Sequence, residues 1–400
     1  MKTGGEKAFP TFPLDRYLGS FLLDTPNISL EANKSAKAEA SDAQMQIPRA
    51  KVVKNFLDQY VIGQEEAKKA LAVAVHNHYV RISSNAKMAD KEDKVGIQKS
   101  NILIIGNSGS GKTLLAQTIA KFMDVPFVSV DATSFTPTGI VGKDIEDIGE
   151  LLVNAASGDY DRAEQGVVFI DEIDKIAQAS NSTSSANVNG VLGGATQSSL
   201  LKLLEGDYLK IKNNNPFSFG SGRELCIKNV LFICGGAFAG IEKLTVKEGI
   251  NIRRSIGFEA ENVKPVDEAA DSGAFDYVGT EEIIKYGMMP EIIGRLPVLL
   301  KLKALNKNDL KTILTEPKNS IVTQYRKLLS EDGVELEFAD DAIELIAQMA
   351  IDKKIGARGL RSIVEGIVTN IIYEIPDDTC RRKCTLTANN IRNNTIPDMT

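Results

Sequence analysis

The chain has no tryptophan, two histidines and four cysteines in 400 residues, and aromatic residues make up 6% of it. Each scarcity narrows the chemistry. His76 and His78 flank Asn77 in a stretch read as helix, where positions two apart do not share a face. They are read as structural. Cys226, Cys234, Cys380 and Cys384 include a single C-x3-C, with no second pair and no nearby histidine. A structural zinc site needs four ligands, so buried thiols in a reducing, cytoplasmic setting are expected instead. No apolar run reaches the roughly 20 residues that span a bilayer. Phe21-Leu22-Leu23 is too short an apolar core for a signal peptide, and its start is polar and contains proline. An excess of positive charge is also missing. The formal charge of −6 argues against a general nucleic-acid surface. Neither a membrane nor nucleic acid is an expected partner.

What is present is ordinary soluble composition, 43% hydrophobic and 25% charged. A chain of this length suggests two or three domains. Residues 1–50 are small, polar and charged, most clearly from Leu30 to Ser41, and are expected to lack stable order. From Pro48 onward, Phe56-Leu57, Val61-Ile62 and Ala67 to Val80 show helical apolar spacing. Short apolar runs then alternate with amphipathic stretches. The strand candidates are Ile102–Ile105, Phe127–Val130, Val167–Ile170, Val230–Ile233 and Val298–Leu300. The helices between them are Leu114–Met123, Ile145–Ala156 and Ser198–Glu205. This alternation predicts an α/β domain over 51–304, a parallel sheet with helices on both faces. Over 305–400 the pattern predicts a smaller, mostly helical domain, with helices near Asp309–Leu314, Ser320–Leu329, Asp340–Ile351 and Leu360–Glu374. Ala179–Gly194, Lys212–Gly222 and Glu259–Thr280 are rich in Gly, Ser or Asn and are expected to be mobile.

Two motifs carry chemistry. Gly106-Asn107-Ser108-Gly109-Ser110-Gly111-Lys112-Thr113 fits the phosphate-loop pattern, follows an apolar strand and, with Leu114, opens a helix. Its glycines let backbone N–H groups turn toward phosphate oxygens, and the helix N-terminus adds favourable potential. Lys112 is expected to reach the β- and γ-phosphates of ATP, and Thr113 to ligate Mg²⁺. The second motif, Val167-Val168-Phe169-Ile170-Asp171-Glu172, ends a strand on two carboxylates, at the sheet edge where open parallel sheets bind ligands. Asp171 is expected to hold Mg²⁺ and Glu172 to polarise the attacking water.

These motifs, together with five further phrases, resemble the ClpX family of AAA+ unfoldases, which feed ClpP-type peptidases. The phrases are Tyr60–Gln64, Leu200–Gly206, Leu231–Phe238, Pro290–Pro297 and Gly356–Arg361. The likeness runs from about Ile47 to Pro376. It implies a homohexameric ring with ATP between subunits, acting on protein substrates. It also implies roles for single residues: Val61 and Ile62 beside the adenine, Arg295 as an arginine finger for the neighbouring subunit, and Arg358 as a nucleotide sensor. Catalysis is thus assigned to Glu172, Arg295 and Lys112. Ile256-Gly257-Phe258 matches the tripeptide that docks on the peptidase. The pore loop departs from the family's aromatic pattern: it reads Gly139-Ile140-Val141-Gly142, leaving Ile140 and Val141 to grip substrate. The first fifty residues hold no cysteine, so the family's zinc-binding domain is not expected among them. The residues leave open a remodelling factor that acts without a protease, and a nucleotide-dependent scaffold with little turnover.

Overall fold

The apolar runs become strands of one sheet. The protein is described by a computed structural model over residues 47–87, 96–135, 145, 147–181, 188–211, 223–242, 244, 275–353, 355–375 and 382–397. Its first seven strands are β1 (Ile102–Ile105), β2 (Phe127–Asp131), β3 (Val167–Asp171), β4 (Tyr208–Lys210), β5 (Glu224–Cys226), β6 (Leu231–Gly236) and β7 (Val298–Lys301). Five of them pair in the order β2-β3-β6-β1-β7, every pair parallel. β4 and β5 form a separate antiparallel pair.

Continuous apolar strands suit a sheet covered on both faces, and side-chain alternation divides them between two cores. Leu103, Ile105, Val168, Ile170, Phe232 and Cys234 face one core. Ile102, Ile104, Val167, Phe169, Leu231 and Ile233 face the other. Each such buried large side chain contributes about 1.5–3 kcal/mol. The second core is closed by α1 (Ala50–Leu57), α2 (Glu65–Lys87) and α3 (Lys112–Met123). The first takes α4 (Asp147–Ala155), α5 (Tyr160–Ala163), α6 (Ile173–Asn181), α7 (Val188–Glu205), α8 (Thr280–Tyr286) and α9 (Pro290–Gly294).

Beyond β7 a third core gathers residues from Leu310 to Leu386. It joins α10 (Lys307–Thr315), α11 (Ile321–Glu331), β8 (Val334–Phe338), α12 (Asp340–Asp352), α13 (Gly356–Tyr373), β9 (Arg382–Leu386) and α14 (Ala388–Asn393). This region is mostly helical, as the periodicity predicts, but β8 and β9 add a parallel pair that it did not.

Three other details differ from the sequence reading. The helical spacing at Val61-Ile62 does not continue a helix. Gly63 (φ 64°) and Gln64 (φ 58°) are left-handed, so the chain turns between α1 and α2. The stretch Ala179–Gly194, expected to be mobile, is partly helical, because α6 runs to Asn181 and α7 begins at Val188. Tertiary bonds support α7: Gln197, fully buried, donates to Ile176 O and Gly287 O and accepts from Met289 N. Finally, Phe275–Thr280, within the third stretch expected to be mobile, includes the start of α8. The N-terminal segment 1–46, Lys212–Gly222, the pore-loop residues Ile140 and Val141, and Ile256, Gly257 and Phe258 lie outside the described residues. Among the described residues, no helix is long and apolar enough to cross a membrane.

Candidate nucleotide-binding site

The central strands deliver the site. β1 ends at Ile105, and the Gly106–Gly111 turn leads into α3, whose first residue is Lys112. Gly109 (φ 76°) lies against the N-terminus of α13, where a Cβ would meet Ile355 O at 3.1 Å and Ala357 N at 3.2 Å. Gly356 (φ 58°) faces it from the other side, and a Cβ there would meet Ser108 O at 3.0 Å. The phosphate loop and α13 therefore touch backbone to backbone, and only glycine at both positions permits it.

Lys112 is buried, and its Nζ donates to Gly106 O at 2.7 Å and Asn107 O at 3.1 Å. Burial pushes its pKa below the usual lysine range, against the upward pull of Asp171 and Asp174. The ammonium is thus held inside the loop by carbonyls that a phosphate oxygen would replace with a stronger, charge-assisted partner. Thr113 Oγ1 donates to Asp171 Oδ2 at 3.3 Å, joining the first turn of α3 to the end of β3. The other carboxylate oxygen, Oδ1, accepts from Glu172 N at 2.9 Å. Glu172 is exposed and left-handed (φ 56°). For a residue with a side chain this costs about 1–3 kcal/mol, and such strain clusters at functional sites.

These groups open on a cleft of about 740 Å³. Its opposite wall comes from the C-terminal region: Ile313, Pro317, Ile321, Ala357, Arg358 and Arg361. Arg361 is tied to Gln324 of α11. The Lys112 ammonium feels Arg358 as a like charge, and with Arg361 and Lys175 four cations border one space. The hydroxyl of Ser110 is buried in the loop without a hydrogen-bond partner. Convergent cations, inward backbone and an unpaired buried hydroxyl fit a polyphosphate. The Thr113–Asp171 oxygen pair fits Mg²⁺, which favours hard oxygen ligands. Among the described residues, no cluster of His, Cys, Asp or Glu could hold a metal by itself.

The structure brings together Lys112, Thr113, Leu114, Asp171, Glu172 and Arg358 in the cleft. Of the segment expected beside the adenine, Tyr60 lines the cleft while Val61 is buried in the core and Ile62 is half-buried. Arg295 caps α9 and is not among the residues lining its own chain's cleft.

Cys234, expected as a buried thiol, is one. It sits mid-strand in β6, fully buried, and burial pushes its thiol up to about 12. Asp174 takes a place that sequence reasoning missed. Buried at the first turn of α6, it accepts from Ala237 N at 3.0 Å just beyond β6. Its nearness to Asp171-Glu172, three residues on, was the available signal. Arg361 and Tyr60 were missed too. Both stand inside phrases already singled out.

The loop Gln59–Gln64 holds the end of β7 through Gln64 and reaches the C-terminal wall through Gln59. Gln64 Nε2 donates to Lys303 O at 2.8 Å, and Gln64 Oε1 accepts from Lys303 N at 2.8 Å. Lys318 N donates to Gln59 O at 3.0 Å. The loop is pinned from below by Lys68, 2% exposed, which pairs with Asp58 at 2.6 Å and Glu65 at 2.7 Å and donates to Val61 O.

A parallel sheet in this order, carrying a phosphate loop and an adjacent acidic strand end, defines a P-loop nucleotidase of the AAA class. The AAA domain (Cdc48 subfamily) matches residues 97–299, and the C-terminal, D2-small domain of ClpB protein matches residues 305–379. Among curated relatives, the ATP-dependent Clp protease ATP-binding subunit ClpX of Bacteroides fragilis is 44% identical over 357 residues, covering 88% of this chain and 83% of the relative. The same subunit from Bacteroides thetaiotaomicron is 45% identical over 84% of this chain and 79% of its own length. That from Borrelia duttonii is 42% identical over 92% and 84% respectively. The chain belongs to the ClpX family and is an AAA+ ATPase.

Proposed function

We propose that the chain is an ATP-dependent protein unfoldase and translocase that works as a homohexameric ring and delivers substrates to a ClpP-type peptidase. The observation that carries this reading is the cleft itself. Lys112 and the Thr113–Asp171 pair stand on the sheet side and Arg358 on the C-terminal side, so a nucleotide between them touches both. ATP would lie in the phosphate loop, with Lys112 exchanging its carbonyl partners for phosphate oxygens. Bound Mg²⁺, held by Thr113 and Asp171, would neutralise charge on the β- and γ-phosphates. Glu172, exposed at the rim, would orient a water and take its proton; general bases of this kind supply about 10²–10⁴ in rate.

Arg295 does not line its own chain's cleft, which suits a group acting on a neighbour. In other nucleotidases an arginine supplied in trans is worth about 10³–10⁵ in rate. Arg358 would report the nucleotide's state to α13 and so to the region built around the third core, over 305–400. Rotation of that region against 51–304 would move the pore loop bearing Ile140 and Val141. Ile256-Gly257-Phe258 would dock the ring on the peptidase. The setting expected is the cytoplasm.

The test is ATP-dependent degradation of a set of tagged model substrates, with and without a ClpP-type peptidase, with ATP use followed alongside. Degradation that needs the peptidase, nucleotide and intact Glu172 supports the reading. Unfolding with no binding to the peptidase would favour a remodelling factor instead. Glu172→Gln that hydrolyses ATP at the wild-type rate would remove the catalytic assignment.

A further inference from the structure

Arg295 is held at two points. Its Nε donates to Oε1 of Glu205 at 2.9 Å, and its Nη2 forms an ion pair with the same oxygen at 2.8 Å. Its backbone carbonyl accepts from Asn101 Nδ2 at 3.1 Å, and Asn101 is buried immediately before β1. Root and one edge of the guanidinium are therefore fixed. A guanidinium has five N–H donors in a rigid fork. With the Nε edge committed, the Nη1 edge makes no hydrogen bond among the described residues and remains to meet an anion.

Glu205 sits where its own helix disfavours it. It is the last residue of α7, at the carbonyl end, where the helix field favours cations over carboxylates. The ion pair does little for stability either. Arg295 is 56% exposed and Glu205 41%, and exposed pairs contribute close to nothing. A residue that goes against its local field without a stabilising return is a candidate for function. We infer that Glu205 is a positioning residue for Arg295, holding the guanidinium with its unused edge outward for the γ-phosphate of a neighbouring subunit. This rests on the shared-site reading above.

α7 gives the contact a route into the same chain's catalytic strand. The helix packs on α6, which starts two residues after Asp171. The aim of Arg295 is thus set by an element standing directly behind the carboxylates of its own subunit.

The test is a double-mutant cycle on the full chain, assembled as it functions, reading kcat and KM for ATP. Glu205→Ala should lower kcat roughly tenfold, a coupling within the range for residues in contact. KM should change less than about twofold, and thermal unfolding should be unaltered. Glu205→Gln, which keeps the shape and one acceptor, should fall between Glu205→Ala and wild type; it replaces Glu205→Ala in the cycle if that variant fails to fold. The variant carrying both Glu205→Ala and Arg295→Ala should be no slower than Arg295→Ala alone, because Glu205 acts only through the arginine. Two outcomes overturn the proposal: wild-type kcat in Glu205→Ala beside a slow Arg295→Ala, or effects that multiply in the double variant. Wild-type kcat in Arg295→Ala would instead remove the shared-site reading itself.

Discussion

The two walls of the nucleotide cleft are built differently. The sheet wall is rigid by construction. Asp171 and Glu172 end a strand buried on both faces, Lys112 and Thr113 open the helix that follows β1, and Thr113 is bonded directly to Asp171. The C-terminal wall stands on a separate core. Its arginines are borne by α13, and it meets the other wall at the glycine approach and the Gln59–Lys318 bond. A site made this way sets its phosphate loop and acidic strand end on one pair of cores and its arginines on another.

Substitutions on the two walls should therefore fail in different ways. The largest effect is expected from Lys112→Ala, which removes the buried cation from the loop. Nucleotide affinity should fall about a hundredfold or more, close to 3 kcal/mol, with an unchanged fold. Titration with a fluorescent nucleotide measures it, and near-wild-type affinity would break the account of the fixed wall. Gln64→Ala should come next. It leaves the N–H and C=O of Lys303 without their partner and should cost about 2 kcal/mol. That loss should be visible in chemical denaturation. Undiminished stability would mean that the clamp is not a structural tie. Arg358→Ala should weaken nucleotide binding only about tenfold, near 1.4 kcal/mol, yet uncouple hydrolysis from unfolding. If its affinity loss matched that of Lys112→Ala, the two walls would not differ in role.

The smallest effect lies far from the cleft, at the end of the fixed wall. His78 is 4% exposed and bonds Asn229 O at 3.0 Å, and burial pushes its pKa down to about 3. The unfolded chain takes up a proton below about pH 6.5 that the folded chain refuses. Stability from this group is therefore complete above that pH and declines as pH falls toward 3. Between pH 6.5 and 5.5 the loss should be about 1 kcal/mol. His78→Gln, which keeps a donor for Asn229, should flatten the decline; an equal slope in both proteins would exclude His78 as its source.

The fixed wall was also the legible one. Its strands are uninterrupted apolar runs, and its motifs are short and local, so periodicity and spacing alone locate Gly106–Thr113 and Asp171-Glu172. The β8–β9 pair was readable in principle. Val334-Glu335-Leu336-Glu337-Phe338 alternates with period two, and its burial follows that alternation, but the sequence reading assigns no element between Leu329 and Asp340. The start of α7 was not readable. Gly190, Gly193 and Gly194 lower helix propensity, and the bonds of Gln197 that support the helix come from residues up to 92 positions away. Gln64 was hidden for a similar reason, since its partner lies 239 residues further along the chain.

The meeting of Gly109 and Gly356 sets a clearance. With no side chain on either residue, the loop and α13 can approach until their main chains touch, and the cleft reaches its narrowest width. A single methyl group at Gly109 would act as a doorstop, propping the walls apart by a fraction of an ångström at their closest point. Gly356→Ala would insert the same wedge from the opposite leaf. The pair is thus a built-in gauge of how far the cleft can shut, adjustable one carbon at a time without touching any charged group in it.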